Sequence, residues 1–161
     1  MSEFVIRVIA RPDNVAISQV IRTVMPEFNA VGPGYAINDP EVDDMYSAYQ
    51  GPRARYFVVE KAGTVLGGGG FAALKGALPG VCEVQKMYLY PAARGHGVGN
   101  LLLTKILKEA KASGFTFCYL ETLASMTSAV ALYLKAGFKA LSGAMGHTGH
   151  HGCNAWYGRD L

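Results

Sequence analysis

Arg94-Gly95-His96-Gly97-Val98-Gly99 decides how this chain is read. Before it, Val81 to Tyr90 is rich in strand formers and stops at Pro91. After it, Val98, Leu102, Ile106 and Ala110 form an apolar stripe at helical spacing, widened by Leu103 and Leu107, while Lys105, Lys108, Glu109 and Lys111 fall outside it. The stripe predicts a helix from Val98 to Ser113, with Gly114 as its C-terminal cap. A helix start offers unpaired N–H groups and the positive end of the helix dipole. Glycines let that backbone approach an anion closely. Arg94 adds a cation and His96 a donor, so the stretch reads as a cradle for a phosphate or pyrophosphate. A glycine-rich turn with no ligand is the bland rival. A dinucleotide loop does not fit, because the glycines stand at 95, 97 and 99, and no Lys-Ser/Thr pair makes a Walker loop.

Working outward, Phe4 to Ile9 reads as a strand and Val15 to Met25 as a helix, with Asp13 or Asn14 as its cap. Asp39-Pro40-Glu41 resembles another helix start, running to about Tyr49. Arg55 to Glu60 and Thr64 to Ala73 form a hairpin around Lys61-Ala62-Gly63. Gly67 to Gly70 weaken the second strand, so something approaches the backbone there. Phe115 to Glu121 reads as a buried strand and Ser128 to Ala136 as a helix closed by Gly137. Phe138 to Leu141 and Asn154 to Arg159 are the last strands. The order is β-α-α-β-β-β-α-β-α-β-β, with no linker or repeat, which makes residues 1–161 one domain.

Half of the residues are apolar or aromatic, which gives a core and argues against disorder. A net charge of +3 without a basic run suits a small anionic ligand and disfavours a nucleic-acid partner. Cys82, Cys118 and Cys153 are too few and too scattered for a disulfide framework. Reduced thiols in the cytoplasm are the simpler reading. No signal peptide and no membrane span is expected.

At this point a family resemblance enters. Arg94 to Gly99 fits the Q/R-x-x-G-x-G/A signature of the GNAT (GCN5-related) acetyltransferases. Glu83-Val84-Gln85-Lys86-Met87-Tyr88-Leu89-Tyr90-Pro91 resembles that superfamily's fourth strand, and Ala129 to Phe138 resembles its A-x-x-L-Y-x-x-x-G-F segment. The chain also looks like small bacterial members that end in T-G-H-x-x-C, here Thr148 to Cys153. The resemblance implies an α/β (α+β) single-domain fold: a mixed, mostly antiparallel sheet of about seven strands flanked by about four helices. It implies acetyl-CoA as co-substrate, with Met87, Tyr88 and Leu89 bonding the pantetheine arm through their main chain. Arg94, Gly95, His96, Gly97, Val98, Gly99 and Asn100 would hold the pyrophosphate. Many members carry an Asn seven residues ahead of the position of Tyr133. Met126 stands there in this chain, with Thr127 or Ser128 to compensate.

Acetyl transfer to an amine needs a neutral nucleophile, a stabilised oxyanion and a proton for the departing thiolate. Glu83 is the candidate base, eleven residues ahead of Arg94, an offset that resembles the histone-acetylating members. Strand alternation puts Glu83, Gln85, Met87 and Leu89 on one face. A surface or salt-bridged glutamate is the bland reading, and Glu121 is a second candidate. Tyr133 matches the position that often protonates the thiolate; otherwise it is a core tyrosine.

For the acceptor, the fold's usual opening suggests Glu27, Tyr35, Tyr46, Gln85 and the 143–153 segment, with Gly67 to Gly70 clearing space beside them. His147, His150, His151 and Cys153 match no familiar zinc spacing. They read as a turn whose histidines bond backbone or substrate, and no metal is expected. The leading function is an N-acetyltransferase acting by direct attack in a ternary complex on a small-molecule or protein amine. O-acetyl transfer and a non-catalytic acyl-CoA-binding module are the alternatives. Dimers are common in the superfamily, and the sequence does not decide between a monomer and a homodimer.

Overall fold

The computed structural model describes residues 3–161. Seven strands, β1 (Phe4–Val8), β2 (Arg55–Lys61), β3 (Thr64–Ala73), β4 (Val81–Leu89), β5 (Phe117–Thr122), β6 (Lys139–Ala140) and β7 (Ala155–Asp160), form one sheet. Its order is β1-β2-β3-β4-β5-β7-β6. Neighbours are antiparallel except β4 and β5. Four α-helices accompany it: α1 (Asn14–Val24), α2 (Met45–Ala48), α3 (Val98–Ala112) and α4 (Thr127–Lys135). The expected order and the mixed, mostly antiparallel sheet are both present.

The sheet separates two cores. On one face Leu102, Leu103 and Ile106 of α3 pack with Phe57, Val59, Phe71, Val84 and Leu120. On the other, Ile17, Val20, Ile21 and Val24 of α1 pack with Met45, Tyr56 and Val58. Each fully buried Leu, Ile or Phe stabilises by about 1.5–3 kcal/mol. The strands read from sequence agree with those observed to within two residues at either end, and β3 matches at both.

Three local expectations change. The stretch from Asp39 to Tyr49 is not one helix. A 3₁₀ turn, Pro40–Asp43, stops at Asp44, which caps α2 by accepting from the Ser47 N–H at 3.2 Å. Neither Asp13 nor Asn14 caps α1 with its side chain. Asp13 is taken by Arg7 (2.8 Å) and by the Ala10 N–H (2.7 Å), and Asn14 binds Asp44 and the Tyr46 N–H. A more exposed acid would have been free to cap.

The third change concerns Gly67 to Gly70. These glycines do not clear space for an acceptor; the protein's own side chains fill it. A methyl on Gly68 would lie 2.7 Å from the Tyr56 ring and 2.9 Å from Ile17, and one on Gly69 would lie 3.0 Å from Met87. The run lets Tyr56 cross one face of β3 and Met87 the other.

Candidate functional site

Two irregularities in β4 make the site. Gly68 pairs with Tyr88 and Gly70 with Gln85, so Lys86 and Met87 together oppose Gly69. That is a β-bulge, with Lys86 at φ 48°. A left-handed lysine is strained by about 1–3 kcal/mol and must be held. Its carbonyl accepts from the buried Tyr56 hydroxyl at 2.6 Å. Its ammonium, with 3% of the side chain exposed, pairs with Asp39 at 2.8 Å and Glu41 at 3.1 Å.

The bulge overturns the expected alternation. Glu83 and Gln85 face the α1 side, where Gln85 accepts from the Tyr49 hydroxyl at 2.7 Å. Met87 and Leu89 pack on the α3 side, and Tyr88 and Tyr90 return to the α1 side. One extra residue reverses the parity of everything after it.

The second irregularity is a splay. The parallel pairing of β4 and β5 ends at Glu83–Tyr119. Beyond it the strands part, and a groove of about 350 Å³ opens between them. Met87, Tyr88, Leu89, Arg94, Gly95, Gly97, Gly99, Asn100, Ser128 and Tyr133 line it, with Ser125, Met126 and Thr127 from the start of α4. Gly97 caps α3 at φ 76° and Gly95 stands at φ 78°, both with open space where a Cβ would be. Among the described residues, the N–H groups of Gly95 to Asn100 have no hydrogen-bond partner.

The Val98 side chain is core, and the His96 ring lies 5.4 Å from the Phe4 ring, so what these two residues offer the groove is main-chain N–H. Arg94 does line it, but its guanidinium already donates to the Leu89 carbonyl at 3.0 Å and to Glu27 at 2.9 Å. Glu27 therefore stands beside the loop. Met126, at the N-cap of α4, accepts from the Thr122 hydroxyl through sulfur at 3.6 Å.

A second chamber of about 50 Å³ shares Met87, Tyr88, Met126 and Tyr133 with the groove and reaches Tyr35, Lys86, Glu121 and Cys153. The Tyr133 ring packs edge-on against Phe138, and burial pushes its hydroxyl up to about 12, so it is a neutral donor. Beyond lies an ionic cluster. Glu83, Glu121 and His150 offer atoms all within 4.8 Å of one another. Burial pushes the Glu83 carboxyl up to about 7, helped by repulsion from Glu121 and opposed by the Gln85 amide, which donates at 2.7 Å. Glu121 is held below the ordinary carboxylate range. Burial works against this, but His150, Thr148 (2.5 Å) and Tyr119 (2.7 Å) outweigh it. His150 is raised to about 9, first by Asp39 at 2.9 Å and then by Glu121 at 3.7 Å.

The two glutamates and His150 lie close enough together to present ligands to a metal. With Asp39 they also form an ion-pair network in which His150 faces a carboxylate with each ring nitrogen. The His147 main-chain N–H bonds the Lys75 carbonyl at 2.7 Å and its ring lies over Gly76, while the His151 ring covers Gly34. Sequence reasoning missed Asp39, which reads as a helix cap, and Lys86, which reads as an ordinary strand residue. It flagged His150 with no partner.

Residues 19–138 match the family model described as the acetyltransferase (GNAT) family. The chain belongs to the GNAT acetyltransferase family. As a member it is an acyltransferase by class. It is 42% identical over 158 residues to the uncharacterized N-acetyltransferase YjgM of Escherichia coli (strain K12), spanning 98% of this chain and 95% of that one. It is 32% identical over 88 residues to the N-alpha-acetyltransferase RimI of Mycobacterium tuberculosis, about half of each chain (55% and 54%). Its fold resembles yncA of Salmonella typhimurium, solved with acetyl-CoA, at TM-score 0.79 and 19% identity over 99% of this chain and 95% of that one.

Proposed function

We propose that the chain transfers the acetyl group of acetyl-CoA to an amine by direct attack in a ternary complex. The observation that carries this is the joined pair of spaces. A groove lined by the glycine loop meets, at Tyr133, a chamber lined by Glu121. The donor set fits the cofactor. The unpaired N–H groups from Gly95 to Asn100 suit a pyrophosphate at a helix start. The splayed edge of β4, at Met87 to Leu89, suits an amide-rich arm. The acetyl-CoA in the Salmonella relative of the same fold supports the same reading.

Glu83, with its carboxyl near pH 7, takes a proton from the entering ammonium, directly or through a water. The freed lone pair attacks the thioester carbon, and the oxyanion that forms calls for a hydrogen-bond donor. The C–N bond forms, the nitrogen gives up its second proton to solvent, the C–S bond breaks and the thiolate takes the Tyr133 proton; solvent reprotonates Tyr133 and receives the proton held by Glu83. The products are an amide, free coenzyme A and one proton. Glu121 is the weaker candidate for base, since its lone pairs are committed to Thr148 and Tyr119. The same reading expects the chain in the cytoplasm, where acetyl-CoA is at hand. Among the described residues no helix is long and apolar enough to cross a membrane.

The test is thiol release from acetyl-CoA across an amine panel. Amine-dependent release is expected. Tight acetyl-CoA binding without release would instead mark a binding module.

A further inference from the structure

The acceptor end carries more carboxylate than cation. Asp39, Glu41, Glu83 and Glu121 converge there against Lys86 and His150. Both cations are committed, Lys86 to Asp39 and Glu41, and His150 to Asp39 and Glu121. Glu83 differs from the other acids. It is 5% exposed, and among the described residues its carboxylate accepts one hydrogen bond, from Gln85. A buried carboxylate with capacity to spare is a place for a donor that the chain itself does not supply.

The chamber is also small and roofed. At about 50 Å³ it holds a few water-sized groups. The 143–153 segment closes over it. The Gly152 N–H bonds the Gly34 carbonyl at 3.0 Å, His150 reaches Asp39, and the Tyr35 ring lies against Gly152.

Resting on the acetyl-transfer reading above, we propose that the acceptor is a small primary amine that enters as a cation and carries no carboxylate on its amine-bearing carbon. Its ammonium supplies the donor that Glu83 lacks and gives up a proton there before attack. An α-carboxylate at that point would meet no uncommitted cation, and at least two anions within a few ångströms. The site thus selects by repulsion as well as by attraction.

The experiment uses the full chain, acetyl-CoA and matched acceptors that carry one amine each: ethylamine against alanine, isobutylamine against valine, tyramine against tyrosine. Valinamide, in which a neutral amide replaces the carboxylate, is the control. The amine should exceed the amino acid in kcat/KM by about tenfold or more, with valinamide siding with the amine. Glu121→Gln, which removes one anion, should narrow the gap. Amino acids accepted as well as, or better than, their amines would overturn the inference while leaving the transferase reading intact. Release with no amine at all, with acetyl-CoA still bound by calorimetry, would overturn that reading and this inference together.

Discussion

At the proposed coenzyme end of the groove, Gly95 and Gly97 hold left-handed backbone and present main-chain N–H groups from one short stretch. At the proposed acceptor end, Asp39, Glu83, Lys86, Glu121 and His150 meet from four separate stretches of chain, and each is joined to the others through its side chain. The first end tolerates change in most side chains because few take part. The second depends on charge balance, so a single substitution changes its neighbours. The difference teaches where each end is vulnerable: backbone conformation in one, electrostatics in the other.

The sharpest break in that contrast is Glu83→Gln. Loss of the base should lower kcat by about 10²–10⁴-fold while calorimetry shows acetyl-CoA binding unchanged. Because the Glu83 carboxyl is raised to about 7, the wild-type kcat/KM should climb with pH through that value, and the variant should lose the limb. An unchanged profile would remove Glu83 from the mechanism.

Gly97→Glu acts at the other end. It puts a side chain on φ 76° and an anion at a helix start, and should weaken acetyl-CoA binding about 100-fold or more. Circular dichroism should report a retained fold. Binding equal to wild type would show that the loop is not the cradle.

Tyr133→Phe keeps the ring contact with Phe138 and removes the hydroxyl. A fall of about tenfold to 100-fold in kcat, with KM for acetyl-CoA little changed, is expected from stopped-time thiol assays. A wild-type rate would reduce Tyr133 to a core residue.

The smallest effect is on stability. His150 is raised to about 9 from an ordinary 6.5, so its contribution is complete below about pH 6.5 and vanishes as pH rises through about 9. The difference in unfolding free energy between wild type and His150→Gln, read from denaturant melts, should be widest near pH 6, on the order of 1–2 kcal/mol, and should close by pH 10. A gap that does not change with pH would mean that the ring acts by packing alone.

Much of the fold was legible because its signals are local. The stripe of Val98, Leu102, Ile106 and Ala110 needs only the helical period, and the hairpin around Gly63 needs only turn chemistry. Local reading failed where a residue had a better offer from afar. Asp13 left its cap for Arg7, and Asp39 left its own for Lys86 and His150. It failed again at Lys86, because a bulge held by Tyr56 from the neighbouring strand β2 leaves no mark in the strand's own pattern.

The sequence by itself determined the element order, the glycine loop at the start of α3 and the family, because each rests on spacing along the chain. Only the tertiary structure decided which side of β4 each residue faces, that Glu83 and not Glu121 carries the raised carboxyl, and that His150 is an ion-pair partner. Those properties come from burial and from charges a few ångströms apart in space, brought together across as many as 111 residues of chain between Asp39 and His150.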